Sequence, residues 1–191
     1  LGTGLQSDVE IAHYHRPSDK FAFSTAAFYS GQKGFFDNTY LNKHADLSNE
    51  FGGKARLVWL PADGWNIDFT TDYQYVNQNG FPYGEYDSET KHFSEPQTTL
   101  LNGYKRQMVN SGLHVTYRTP SLLLASTTSH QYLYDQMVMD QDYLPEDYLR
   151  LEQRQKMNAI TQELSLRSTG GGVWNHASGV FFSKQWLKTD G

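Results

Sequence analysis

The sequence predicts an all-β chain of antiparallel, up-and-down strands, and three observations carry that expectation. Long runs alternate apolar and polar side chains, tight turns alternate with long loops, and aromatic residues gather near the ends of the runs. Composition agrees. Aromatics make up 15% of the 191 residues and charged residues only 19%, so the chain is too aromatic and too lightly charged for disorder. A formal net charge of −5 without blocks of like charge argues against nucleic acid as the main partner. No Cys is present, which excludes disulfide scaffolds, thiolate metal sites and Cys nucleophiles. No apolar run is longer than Leu122-Leu123-Leu124-Ala125, far short of a transmembrane helix. The chain does not start with Met and carries no signal peptide, so its compartment cannot be read from targeting.

Eight strands are expected, at about 4–15, 20–33, 50–60, 65–77, 106–118, 121–134, 157–168 and 173–187. Period two is clearest from Trp65, where Ile67, Phe69, Thr71, Tyr73 and Tyr75 oppose Asn66, Asp68, Thr70, Asp72 and Gln74. From Gln107, Val109, Leu113, Val115 and Tyr117 share one parity; from Phe51, Ala55, Leu57 and Trp59 do. Phe21, Phe23, Ala27 and Tyr29 share a face, and Ile160, Leu164 and Leu166 oppose Thr161, Glu163, Ser165 and Arg167. The sixth and eighth runs alternate less well. Turn chemistry marks Arg16-Pro17-Ser18-Asp19, Pro61-Ala62-Asp63-Gly64, Thr119-Pro120 and Thr169-Gly170-Gly171-Gly172. Every second connection is instead long: 31–47, 77–105 and 135–157. Pro145-Glu146-Asp147 could start a helix, but Leu149 and Leu151 keep strand spacing, so the third loop is read as extended.

Alternation alone fits two solvents for the apolar face. In a soluble sandwich it points inward; in an outer-membrane barrel it meets lipid, and the polar face lines a wet lumen. Strand length, the short–long order of connections, and Trp59, Trp65, Tyr73 and Tyr75 at strand ends favour the barrel. Lys54, Arg56, Asp68, Asp72, Glu163 and Arg167 then face the lumen. Four-residue spacing sets Asp68 from Asp72, and Glu163 from Arg167, about 13 Å apart along a strand, which favours cross-strand partners over acid–base pairing.

Several residues could carry chemistry. Tyr83, Tyr86, His92, Phe93 and Tyr104 in the second loop suit capture of a ferric chelate or glycan by stacking and hydrogen bonding, or simply staple the loop. Asp135, Asp140, Asp142, Glu146 and Asp147 have the density of a hard-cation site but not the EF-hand spacing, and a solvated loop is the plainer reading; Met137 and Met139 adjoin them. Asp140 and Asp142 join the ligand-binding loop candidates. His13 and His15 share a face without a third ligand, so no metal site is expected. No motif for catalysis or for a cofactor is found, and neither is expected.

Gly52-Gly53-Lys54-Ala55-Arg56-Leu57-Val58-Trp59-Leu60-Pro61 with its Trp-led return strand, Gly80-Phe81-Pro82-Tyr83, Met139-Asp140-Gln141-Asp142, and Ile160-Thr161-Gln162-Glu163-Leu164-Ser165-Leu166 resemble, in that order, the barrel of TonB-dependent outer-membrane receptors of the siderophore type. The Thr-Gln-Glu-Leu opening of a strand is the most specific of these. The resemblance implies that residues 1–191 are an incomplete piece of a barrel of about 22 strands, in a protein that also has a signal peptide, a plug domain and further strands. It implies binding and import of an iron–siderophore-type ligand with TonB-derived energy, outer-membrane lipid around the wall, and contacts of the lumen with the protein's own plug. Two alternatives stay open at this point. One is a self-contained eight-stranded outer-membrane barrel with a structural or adhesive role, in which 4–15 would pair with 173–187. The other is a soluble carbohydrate-binding sandwich, in which Phe69, Leu113 and Val115 would pack between two sheets.

Overall fold

The computed structural model describes residues 3–170 and 174–191. After a short 3-10 turn at Thr3–Leu5, eight long strands follow: β1 (Ser7–Ser18), β2 (Phe21–Gln32), β3 (Ser48–Trp59), β4 (Trp65–Asn79), β5 (Gly103–Arg118), β6 (Leu122–Asp140), β7 (Arg150–Ser168) and β8 (Ala177–Asp190). They form one antiparallel meander in chain order, each strand pairing with its sequence neighbours. The fold class is therefore the one the alternation predicts. Among the described residues β1 pairs with β2 alone and β8 with β7 alone, so both edges of this sheet are unpaired. Two further ladders, each of two-residue strands, lie in the loops, and no second sheet covers Phe69, Leu113 or Val115 among the described residues.

Local chemistry sets the connections. Gly64 takes φ 79 in the β3–β4 turn, and a Cβ there would collide with the carbonyl oxygen of Arg118. The β1–β2 turn is tighter than Arg16-Pro17-Ser18-Asp19 suggests, because β1 continues through Pro17 on a register shift between His15 and Ser18. In the fourth turn Gly171 and Gly172, and Val173 at the expected start of the last strand, lie outside the described residues.

Register assigns every side chain to a face, since directly opposed residues point the same way. Phe23, Leu57, Phe69 and Leu113 stand in one row across β2–β5. Lys54, Asp72, Asn110 and Gln131 stand in a row on the other side, across β3–β6. Aromatic residues bound the apolar face at both ends, with Trp59 and the tilted Trp65–Tyr117 pair near the turns and Phe51, Tyr75, Tyr134 and Trp186 towards the loops. Between those bounds Lys184 is the one Asp, Glu, Lys or Arg on this face among the described residues. Glu10, Glu50, Lys54, Arg56, Asp68, Asp72, Arg106, Asp135 and Glu163 are all on the other. Gly52 is buried where β3 must be bare: a Cβ would lie 2.6 Å from the ring of Phe28, its neighbour on β2.

The strands outrun the expectation at the loop end. β6 continues to Asp140 and β7 starts at Arg150, so the third loop shrinks from the expected 135–157 to 141–149, without a helix. Asp135, Met137, Met139 and Asp140 are therefore strand residues, and Tyr104, expected in the second loop, lies on β5.

Candidate functional site

The loops share a small buried core, and it is polar. Asn38 and Asp140 are each 1% exposed, and Thr98 and Asn102 are also buried. Asn38 Nδ2 donates to the Thr98 carbonyl (2.9 Å) and hydroxyl (2.7 Å), while its Oδ1 accepts the Leu41 amide at 2.8 Å. Thr99, next in chain, donates its amide and hydroxyl to Asp140 Oδ2, both at 2.7 Å. The Asp140 amide donates to Asn102 Oδ1 (2.7 Å), and Asn102 Nδ2 donates to the Phe81 carbonyl (3.2 Å). The stretch 98–102 thus ties the first loop to the head of β6. Each neutral bond contributes about 1 kcal/mol and those to a carboxylate about 1.5–3, so the joint is rigid compared with a solvated loop. Asp140 Oδ1 is buried without a partner. Expected as a ligand-capture group, Asp140 is instead closed off from solvent and acts as the acceptor at this joint.

The remaining loop candidates fall into three places. Tyr86 and Phe93 form a tilted ring pair at 5.0 Å on the ladder Tyr86–Asp87/His92–Phe93, and they are 55% and 75% exposed. His92 stands opposite Asp87, whose carboxyl is held below the ordinary carboxylate range by the Thr90 hydroxyl and the amides of Glu89 and Thr90. Tyr83 meets Tyr143 edge to face at 5.2 Å, joining the second and third loops. Burial, with help from Tyr83 and Asp140, raises the Tyr143 hydroxyl above its ordinary value. Asp142 shapes the third loop from within, accepting the Leu144 amide on Oδ1 (3.0 Å) and those of Tyr148 (3.0 Å) and Leu149 (2.8 Å) on Oδ2. The Leu144 bond leads in lowering its pKa, and the Leu149 and Tyr148 bonds add to it. Tyr104 sits below the loops and donates to Asp135 at 3.3 Å.

On the polar face of the sheet the six residues expected to face a lumen share one side. They are not one cluster. Arg56 forks onto Asp68 of the next strand, with Nε–Oδ1 at 3.0 Å and a second nitrogen on Oδ2 at 2.5 Å. Asp72 faces Lys54 in the register but accepts from Asn110 at 2.8 Å, and Asn110 in turn accepts from Gln131 at 2.8 Å. Glu163 and Arg167 border a groove with His114 and Thr116. Sequence reasoning missed the chain Arg106–Gln74–Glu50, linked at 2.8 and 2.6 Å, although Gln74 was already on the polar parity. His13 and His15 stack at 6.0 Å against Phe23. No group of three or more metal-ligating side chains forms among the described residues.

The arrangement offers exposed aromatic rings and tyrosine hydroxyls on braced loops above a wall of cross-strand hydrogen bonds, which suits binding. No family model matches the chain. Among solved structures, the ferric yersiniabactin uptake receptor FyuA from Yersinia pestis superposes on 95% of the chain with a TM-score of 0.76 at 16% identity. The chain spans 29% of the length of that receptor. The eight-stranded meander therefore has the fold of a fragment of an outer-membrane β-barrel.

Proposed function

We propose that this chain is a wall-and-loop segment of an outer-membrane receptor that captures a ferric siderophore or similar metal chelate and passes it inward with TonB-derived energy. The observation that carries the reading is the division of the sheet between its two aromatic rows, where one face bears all the charge among the described residues but Lys184, beneath loops braced by their own polar core. The likeness to a ferric chelate receptor adds the ligand class. On this reading the apolar face meets outer-membrane lipid. Lys54, Arg56, Asp68, Asp72, Glu163 and Arg167 line the lumen and meet the plug domain. Tyr83, Tyr86, His92, Phe93 and Tyr104 receive the ligand, with Asp142 holding the third loop in place. The mechanism is binding followed by conformational release. No bond is made or broken.

The test is equilibrium binding of radio-iron chelates of catecholate, hydroxamate and phenolate type to outer membranes containing the intact protein. One class is expected to be retained. Tyr86→Ala with Phe93→Ala should weaken it about tenfold, since each lost aromatic contact is worth about 0.5–1.5 kcal/mol. Retention of none of the chelates would contradict the ligand assignment.

A further inference from the structure

All four methionines of the chain stand on the charge-bearing face of the sheet: Met108 on β5, Met137 and Met139 on β6, and Met157 on β7. These are interior strands, each with both neighbours in place. Met108, Leu133 and Met157 are directly opposed in one row, and all three are half-buried. The row beneath them is polar and closed on itself, with Asp72, Asn110 and Gln131 joined in series by hydrogen bonds of 2.8 Å. The change from polar to apolar thus comes in the half of the face nearer the loops.

The methionines continue upward from that row. Met137 stands opposite Tyr104 and Gln153, and Met139 opposite Leu151. Asp135, between Leu133 and Met137, accepts the Tyr104 hydroxyl at 3.3 Å. At the top the Tyr143 hydroxyl donates to the Met139 sulfur at 3.5 Å, and the Tyr143 ring meets Tyr83 edge to face. The thioethers are therefore continuous with the ring contact that joins the second and third loops. Methionine is flexible and polarisable, and its sulfur contacts aromatic rings favourably at about 5 Å. Such a strip suits a body that carries rings.

Charge narrows the class. Segments 80–102 and 141–149 carry seven carboxylates and a single Lys or Arg, Lys91. On the strands at this level Glu50 and Asp135 share a row with Arg106, whose guanidinium is turned to Gln74. An anion approaching this arc meets repulsion within the Debye length, about 8 Å at physiological salt. A neutral molecule meets none.

We propose that Met108, Met137, Met139 and Met157 form a binding site on the lumen wall for an electrically neutral chelate with an aromatic body, entered past the Tyr83–Tyr143 contact. The Asn110–Gln131 row is its floor. This rests on the receptor reading above and specifies the surface of the cargo.

The test is equilibrium binding to the intact protein in outer membranes of three ferric complexes: a trianionic tris-catecholate, a neutral tris-hydroxamate on a polar peptide ring, and a neutral phenolate chelate bearing aryl rings. The aryl complex should bind at least tenfold more tightly than the other two. Met108→Gln with Met157→Gln should weaken it about tenfold, with heat-modifiable mobility of the barrel unchanged, while Met108→Leu with Met157→Leu should stay within about threefold of the parent. A photo-crosslinking residue in place of Met137 should capture the aryl complex, and excess of that complex should lower any cross-link to the rest of the protein. A preference for either other complex, a glutamine variant that binds like the parent, or a cross-link to the protein's own plug that the aryl complex leaves unchanged would each overturn the proposal. Retention of none of the three complexes refutes the receptor reading; retention without the aryl preference refutes this proposal alone.

Discussion

The wall and the loop layer of this chain are held together in opposite ways. In the wall most side chains of β1–β8 are exposed or half-buried, and Val76 is its one buried large apolar residue among those described. The loop layer is less regular in backbone, yet it holds Asn38, Ala45, Thr98 and Asn102, all buried, and Asp140 closes it from below. On the proposed reading the wall stands between two solvents and needs no interior: its backbone is satisfied by the ladder, and each face is matched to its own medium. Loops standing in water have no such help. They are fixed by closing a few polar groups away from water, each with its partner.

The substitution expected to hurt most attacks the wall. Leu113→Arg puts a charge in the middle of the apolar face and should cost about 2–4 kcal/mol in refolding into bilayers. Thr70→Arg, on the charged face, should cost little. Equal losses at both positions would erase the distinction between the faces.

Second comes the loop core. Asp140→Ala leaves the Thr99 amide and hydroxyl without their acceptor, a cost of about 1–3 kcal/mol. It should show as faster proteolytic nicking within 80–102 and 141–149, with heat-modifiable mobility of the barrel retained. Loss of the barrel itself would mean that the two regions are not independent.

Acid should separate them further. Because the folded-state pKa of Asp142 is lowered, its contribution to loop order is complete above the unfolded value, about 3.9, and is lost as pH falls through the lower folded value. Amide exchange at Tyr148 and Leu149 should therefore gain an added acceleration below about pH 4, which Asp142→Asn abolishes. The smallest effect is expected at Arg56–Asp68, where the guanidinium is largely exposed. A double-mutant cycle should give the weakest coupling of the set, lost in high salt.

The wall was largely legible in the sequence because strands whose two faces differ in polarity must alternate, and Trp65–Tyr75 does so except at Thr71. Legibility ended where the two faces become alike in polarity. In the outer aromatic row Lys156, and beyond it Gln136 and Arg154, occupy the apolar parity, so alternation fades although the β6–β7 ladder continues to Asp140 and Arg150. The third loop is therefore shorter than parity alone predicts, and Tyr104 and Asp135 stand on strands where parity predicts loop. The loop core left no periodic trace: Asn38 and Thr98 are single polar residues 60 positions apart. Asp140 and Asp142 looked alike as loop carboxylates, and only tertiary contacts separate the buried acceptor from the loop-shaping one.

The central claim, that the two faces of the same strands meet different solvents, is tested most directly by spin labels placed singly at each position from 109 to 116 of the protein in bilayers. Oxygen accessibility should peak at Val109, Ser111, Leu113 and Val115, and accessibility to a water-soluble nickel complex at Asn110, Gly112, His114 and Thr116. Uniform access to the nickel complex, or protection of Leu113 and Val115 from both reagents, would contradict it.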